Sequence, residues 1–204
     1  MKKCRFCFPL DEKNRSLVLR ETKNFYVIAS IGPIIEGYLL ICSKKHFSSC
    51  GNLPAKLYPE FENLKKEVQE VFLKVYGGYT FFEHGKTKAC AHNGKDTHCF
   101  HAHLHALPTN TKVVGVLTQE LGEPIRISSF KEIPQFLPKD PYLYYEVEKD
   151  KYLWLAPVDL RQQFFRWILA EQLGVEQKAD WKLNPNWEET EKTYLRLNQY
   201  FAVA

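Results

Sequence analysis

Four of the seven histidines in this 204-residue chain fall between positions 98 and 105, and three of them alternate with apolar residues in His101-Ala102-His103-Leu104-His105-Ala106-Leu107. On a β-strand, side chains two apart share a face, so His101, His103 and His105 would line one side while Ala102, Leu104 and Ala106 faced a core. Imidazoles at that spacing stand about 6.5–7 Å apart along the strand, close enough to serve one substrate or adjoining sites. A helix would scatter them around its circumference. Neutral imidazole is a nucleophile, a general acid or base, and a metal ligand, so the strand is read as a chemical site.

A second group of residues suits a metal. Cys4 and Cys7 form a C-x-x-C pair, which lets one tight turn present two thiolates and is shared by zinc sites and redox pairs. Cys90, His92, His98 and Cys99 form a rival cluster with workable spacing. Cys42 and Cys50 have no evident partner and read as ordinary small residues, Cys42 in the core. Six cysteines without a leader-like apolar segment suit reduced thiols and metal ligation in a cytoplasmic protein.

The elements that would hold these groups follow from periodicity. Ser16 to Arg20, Asn24 to Ser30, Gly37 to Ser43, Tyr79 to Glu83 and Phe100 to Leu107 read as strands. Between the third and fourth, Leu57, Phe61, Leu64, Val68, Val71, Phe72 and Val75 recur at three- and four-residue spacing. They mark an amphipathic helix from Pro54 to Tyr76, stopped by Gly77-Gly78. Beyond residue 110, Val113 to Thr118 and Ile125 to Ser129 read as strands, and Tyr142 to Val147 with Lys151 to Leu155 as a hairpin. A helix capped by Asp159 would run to Gly174, and a last one from Asn186, with Glu189 as its capping-box partner, to about Tyr200. The expected class is α+β, an antiparallel sheet with one long helix over residues 1–110 and an α/β extension over 111–204, packed on it with a hairpin and two helices.

Composition sets outer limits. Hydrophobic residues make up 45% and charged residues 25% of the chain, which describes a globular protein. The net charge of +4 suits a phosphate-bearing ligand but is too small to argue for duplex DNA. No apolar run approaches a membrane span, so no membrane association is expected.

The pattern His-φ-His-φ-His-φ-φ, with φ an apolar residue, resembles the signature of the histidine triad (HIT) superfamily of nucleotide hydrolases and transferases. Gly37 to His46 is similar to that family's strand-and-turn ending in Lys-x-His, with Ser43 where proline is common. Cys4-Arg5-Phe6-Cys7 resembles the zinc knuckle at the start of many members. Gln163 to Ala170, Asp180-Trp181 and Phe81-Phe82-Glu83 resemble the CwfJ-like branch.

The resemblance implies a structural Zn²⁺ held by Cys4, Cys7, His46 and His101. It implies His103 as the nucleophile, its second ring nitrogen bonded to a backbone carbonyl, with His105 and His101 completing the catalytic set. Thr97 and His98 stand where other members carry phosphate-binding donors, and Glu83 and His84 occupy an Asn-x-Gly position, so all four are substrate-binding candidates. Ala29-Ser30-Ile31 lacks the acidic residue that many members use on ribose. Arg161 and Arg166 could reach phosphates, although the plainer reading makes them solvated helix charges.

The expected function is a nucleotide hydrolase or nucleotidyltransferase that cleaves a phosphoanhydride or phosphoramidate through a nucleotidyl-histidine. The alternative is a CwfJ-like RNA- or protein-binding module with weak or no catalysis. Expected partners are a nucleotide or nucleotide conjugate and, on the binding-module alternative, RNA, with the protein a monomer or homodimer.

Overall fold

The computed structural model describes residues 4–87 and 101–201. A short helix α1 (Glu12–Arg15) leads into strands β1 (Val18–Glu21), β2 (Phe25–Ala29) and β3 (Leu39–Ser43). Helix α2 (Tyr58–Tyr76) follows, then β4 (Thr80–Gly85) and β5 (His103–Leu107). The remaining elements are α3 (Val114–Leu121), β6 (Ile125–Arg126), α4 (Ile133–Phe136), β7 (Tyr142–Val147), β8 (Asp150–Leu155), α5 (Phe164–Gln172) and α6 (Trp187–Phe201). Among the described residues the strands form one sheet in the order β1-β2-β3-β5-β4-β7-β8-β6. Every pairing in it is antiparallel. This is the α+β class expected from the sequence. The hairpin β7–β8 joins the edge of β4, so the sheet runs unbroken across residue 110.

Strand β5 lies in the middle of the sheet, between β3 and β4. Register fixes which side chains meet there: Cys42 faces His103, Leu40 faces His105, and Phe82 pairs with His105 from the other side. Paired residues on antiparallel strands share a face, so Leu40, Phe82, His84, His103 and His105 lie together. Helix α2 covers the opposite face with Phe61, Leu64, Val68 and Phe72 buried, and Phe25 meets Phe61 with ring centroids 5.5 Å apart. Its boundary is sharp because Gly77 adopts φ +80° and its N–H returns to the carbonyl of Phe72, a conformation that glycine reaches without steric cost. Lys65 of α2 is carried into that core by Glu146 of β7 at 2.6 Å.

Helices α5 and α6 cover the histidine face. Phe165 packs on Phe82 at 5.1 Å and on Tyr145 at 6.0 Å, while α6 lies along β1 and β2. Two expectations need correction. Residues Val113 to Thr118, read as a strand from their valines, lie largely in helix α3, whose Leu117 is fully buried and whose end is closed by Gly122 at φ +84°. Tertiary burial of one face overrides β-propensity there. Helix α5 starts at Phe164, not near Asp159, because Gln163 takes a left-handed conformation (φ 58°) that helical geometry cannot continue through. Gly174 ends that helical region at φ +68°, as expected.

Candidate functional site

The N-terminal segment is tied to the sheet in register with β3. The Cys7 N–H donates to the Cys4 carbonyl at 3.1 Å, closing the knuckle turn, and the Phe8 N–H donates to the Lys44 carbonyl at 3.1 Å. The Tyr26 hydroxyl donates to the Phe6 carbonyl at 2.8 Å. This arrangement brings Cys4 and Cys7 to His46, just past β3, and to His101, just before β5. The four ligating atoms lie within 4.8 Å of one another.

Their spacing is that of a coordination shell. Cys4 Sγ and Cys7 Sγ lie 3.5 and 3.7 Å from His101 Nδ1, Cys7 Sγ lies 3.5 Å from His46 Nδ1, and the two imidazole nitrogens are 3.4 Å apart. Tetrahedral geometry with metal–sulfur bonds of about 2.3 Å and metal–nitrogen bonds of about 2.05 Å requires S···N of about 3.6 Å and N···N of about 3.3 Å. The four residues therefore fit a single tetrahedral ion. On the far side of its ring, His101 Nε2 lies 2.7 Å from the Ser43 carbonyl, which accepts its N–H and orients Nδ1 toward the cluster. Both ring nitrogens of His101 are thus engaged away from the neighbouring cavity.

That cavity, of about 110 Å³, opens on the histidine face between the N-terminal segment, β2–β5 and α5. His84, His103 and His105 line one side, and Phe6, Ile28, Leu40 and Trp181 give it an apolar wall. Its cations are Arg5, Arg166 and Lys182, and no lining residue among those described is acidic. Arg5 lies at the mouth with its guanidinium 4.7 Å from the Phe6 ring centroid and 4.8 Å from that of Trp181.

Within the cavity His103 has a defined orientation. Its Nδ1 lies 2.6 Å from the carbonyl of His101. A carbonyl only accepts, so the proton resides on Nδ1 and the lone pair on Nε2. This is the backbone contact expected from the sequence. Phe6 stacks on the ring at 4.9 Å and 18°, linking the Cys/His cluster to the nucleophile candidate through a single residue. Phe82 stacks on His105 at 4.4 Å, and the Tyr38 hydroxyl meets His105 Nδ1 at 2.6 Å. Burial drives both imidazoles toward the neutral form, with the pKa of His103 lowered to about 4 and that of His105 held well below its usual value.

The other expected residues separate. His84 faces the cavity, its Nε2 accepting the backbone N–H of Phe165 at 3.1 Å. Glu83, its neighbour on β4, points to the other face of the sheet. There its carboxylate accepts the Cys50 N–H at 2.7 Å and the Tyr142 hydroxyl, so it does not line the site. Thr97, His98 and the rival cluster Cys90, His92, His98 and Cys99 lie outside the described residues. Arg161 is an exposed charge over Trp167, as the plainer reading had it. Arg166 departs from that reading: it is buried, lines the cavity, and its guanidinium donates to three main-chain carbonyls, those of Ala179, Gly32 and Lys178, at 2.8, 2.7 and 3.0 Å. Tyr38, Arg5 and Trp181 were not singled out from sequence as site residues. No feature of the sequence alone marks them: Tyr38 reaches the site because the β3–β5 register sets Leu40, two residues on, against His105.

The chain belongs to the family described as protein similar to CwfJ C-terminal, which matches residues 1–114. No curated protein matches the sequence. Among solved structures, twenty chains match. One of them, a Hit-like protein involved in cell-cycle regulation from Bartonella henselae, is 20% identical over 45% of this chain, with a TM-score of 0.33. The match spans 66% of that protein's chain, just under two thirds of it. Among the described residues, no helix is long and apolar enough to cross a membrane.

Proposed function

We propose that this protein is a nucleotide hydrolase or nucleotidyltransferase that works through a covalent nucleotidyl-His103. The observation that carries this reading is the 2.6 Å hydrogen bond between His103 Nδ1 and the His101 carbonyl. With its proton fixed there, the ring directs the Nε2 lone pair at phosphorus. Attack forms a P–N bond while the bond from phosphorus to the leaving group breaks, the leaving group departing with its electron pair. The ring becomes a phosphorylated imidazolium, and the carbonyl facing Nδ1–H stabilises that positive charge. Water, or another acceptor hydroxyl, then attacks phosphorus and the P–N pair returns to Nε2. His105, beside His103 with ring centroids 4.9 Å apart, is placed to contact the phosphate or the leaving group. The cavity, cationic and with no acidic lining residue among those described, favours a phosphate over a cationic or neutral substrate.

Cys4, Cys7, His46 and His101 are proposed as the ligands of a zinc ion, the metal that a tetrahedral S₂N₂ set favours. Four protein ligands close the shell, so the ion's contribution is structural: it clamps Phe6 over His103. His101 then serves the metal and, through its carbonyl, the orientation of His103, rather than acting as an acid or base.

The test is turnover of a panel of dinucleoside polyphosphates and nucleoside phosphoramidates by the wild type and by His103→Ala. Activity that falls by about 10³-fold or more in the variant, with folding and metal content intact, supports the reading. Equal activity in both proteins refutes it. A second reading, a CwfJ-like RNA- or protein-binding module, is favoured by the family match over residues 1–114. The Arg5 guanidinium at the rings of Phe6 and Trp181 would give it a stacking platform for an unpaired base. That reading predicts RNA binding insensitive to His103→Ala and no turnover.

A further inference from the structure

Two groups in the cavity are not used by the chemistry above. The first is His84. A backbone N–H points at its Nε2 from Phe165, so the lone pair lies on that atom and the ring proton on Nδ1. His84 Nδ1 is buried, and no hydrogen-bond partner for it exists among the described residues. A buried donor left unmet is unfavourable, and because His84 lines the cavity, an acceptor bound there that meets it recovers binding energy. The second is Arg166. Its Nε and Nη2 are taken by three main-chain carbonyls and its guanidinium lies 5.4 Å from the Tyr38 ring centroid, while among the described residues Nη1 has no hydrogen-bond partner and no carboxylate pairs with the side chain. A buried cation surrounded by carbonyl dipoles, without a counter-charge, is one that an anionic ligand completes.

We propose that His84 and Arg166 form a second anion subsite beside the triad, binding the non-reacting phosphate of a substrate that carries more than one. The rings of His103 and His84 both lie beside that of His105, with centroid separations of 4.9 and 6.0 Å, so a substrate attacked at His103 has His84 within reach of an adjoining group. The first turn of α5 supplies both the N–H that fixes the His84 tautomer and the Arg166 side chain. This assigns the segment after residue 110 a direct share in the site. The charge inventory points the same way. Arg5, Arg166 and Lys182 line a cavity with no acidic lining residue among those described, more positive charge than the single negative charge of a phosphodiester or phosphoramidate would match. The inference depends on the proposed nucleotide chemistry for the identity of the reacting phosphate, but not for the existence of the subsite.

The test uses the full-length, metal-loaded protein with inorganic pyrophosphate and inorganic phosphate as calorimetric probes. Pyrophosphate is expected to bind at least about tenfold more tightly than phosphate. His84→Phe, which keeps an aromatic ring against Phe82, His105 and Phe165 but has no donor, and Arg166→Met should each weaken pyrophosphate by about tenfold or more, and His84→Gln should restore part of the loss. Because Arg166→Met strips three carbonyls of their donor, a variant-free reading is also needed. In ¹⁵N-histidine spectra of the wild type, pyrophosphate should shift the His84 Nδ1–H resonance. Equal binding by wild type, His84→Phe and Arg166→Met, or an unmoved His84 resonance at saturation, overturns the proposal. If the subsite variants lose pyrophosphate while the wild type forms no nucleotidyl adduct, the subsite stands and covalent catalysis falls. If the adduct forms and pyrophosphate binding is unaltered, the reverse holds.

Discussion

Removing the proposed zinc tests the link from the N-terminus to the histidine strand β5. The four ligands come from two chain segments joined to the sheet and one that is otherwise held by few main-chain bonds: Cys4 and Cys7 on one side, His46 and His101 on the other. A ligand that binds only the folded state stabilises it by about 2.7 kcal/mol at 100 times its dissociation constant and about 4.1 kcal/mol at 1,000 times. With an unfolding entropy of about 2.1 cal/mol/K per residue, 204 residues give roughly 0.43 kcal/mol/K, so chelation should lower Tm by about 6–10 °C. Cys7→Ser should reproduce that drop and make the protein indifferent to chelator. Since Phe6 stacks on His103, the metal-free protein should also show altered His103 resonances. Calorimetry with and without chelator, alongside metal analysis, decides the matter. A protein with no stoichiometric metal, or one whose Tm and His103 signals ignore chelator, would refute the clamp.

Two further predictions concern the opposite face of the sheet. Burial raises the Glu83 pKa from 4.5 to about 7, outweighing the hydrogen bonds from Tyr142 and Cys50. A raised folded-state value means stability that is present below pH 4.5 and lost as pH rises through about 7, roughly 3 kcal/mol for this group. The stability difference between wild type and Glu83→Gln, measured by denaturant titration, should therefore change across that window; a constant difference would count against it. Lys65→Met leaves Glu146 buried without its 2.6 Å partner and should cost about 3–5 kcal/mol, whereas a loss under 1 kcal/mol would show that the pair is not desolvated as described.

Much of the site was legible because β-structure has a period of two. His103 and His105 share a face and meet the cavity, and the spacing of Phe61, Leu64, Val68 and Phe72 identified the long helix. The same alternation excludes Glu83 and His84 from facing one ligand together, and it is His84 that lines the cavity. What local pattern could not show depends on distant chain segments. Arg166 is buried because Gly32, 134 residues earlier, offers it a carbonyl, and nothing near either residue announces that contact. Helix α3 is likewise set by the burial of Leu117, against a run of valines that locally prefers a strand. The start of α5 turns on Gln163 in a left-handed conformation, which glutamine seldom adopts and sequence therefore seldom signals.

The central claim, that His103 forms a covalent bond to a nucleotide, is tested most directly by intact-protein mass spectrometry after a millisecond acid or base quench. The reaction would be run at single turnover with each substrate of the panel, and the modified peptide would be mapped. The account predicts a transient gain of one nucleoside monophosphate on the peptide containing His103, absent in His103→Ala. Substrate turnover without any adduct under quench conditions that preserve phosphohistidine, or an adduct that persists in His103→Ala, would contradict it.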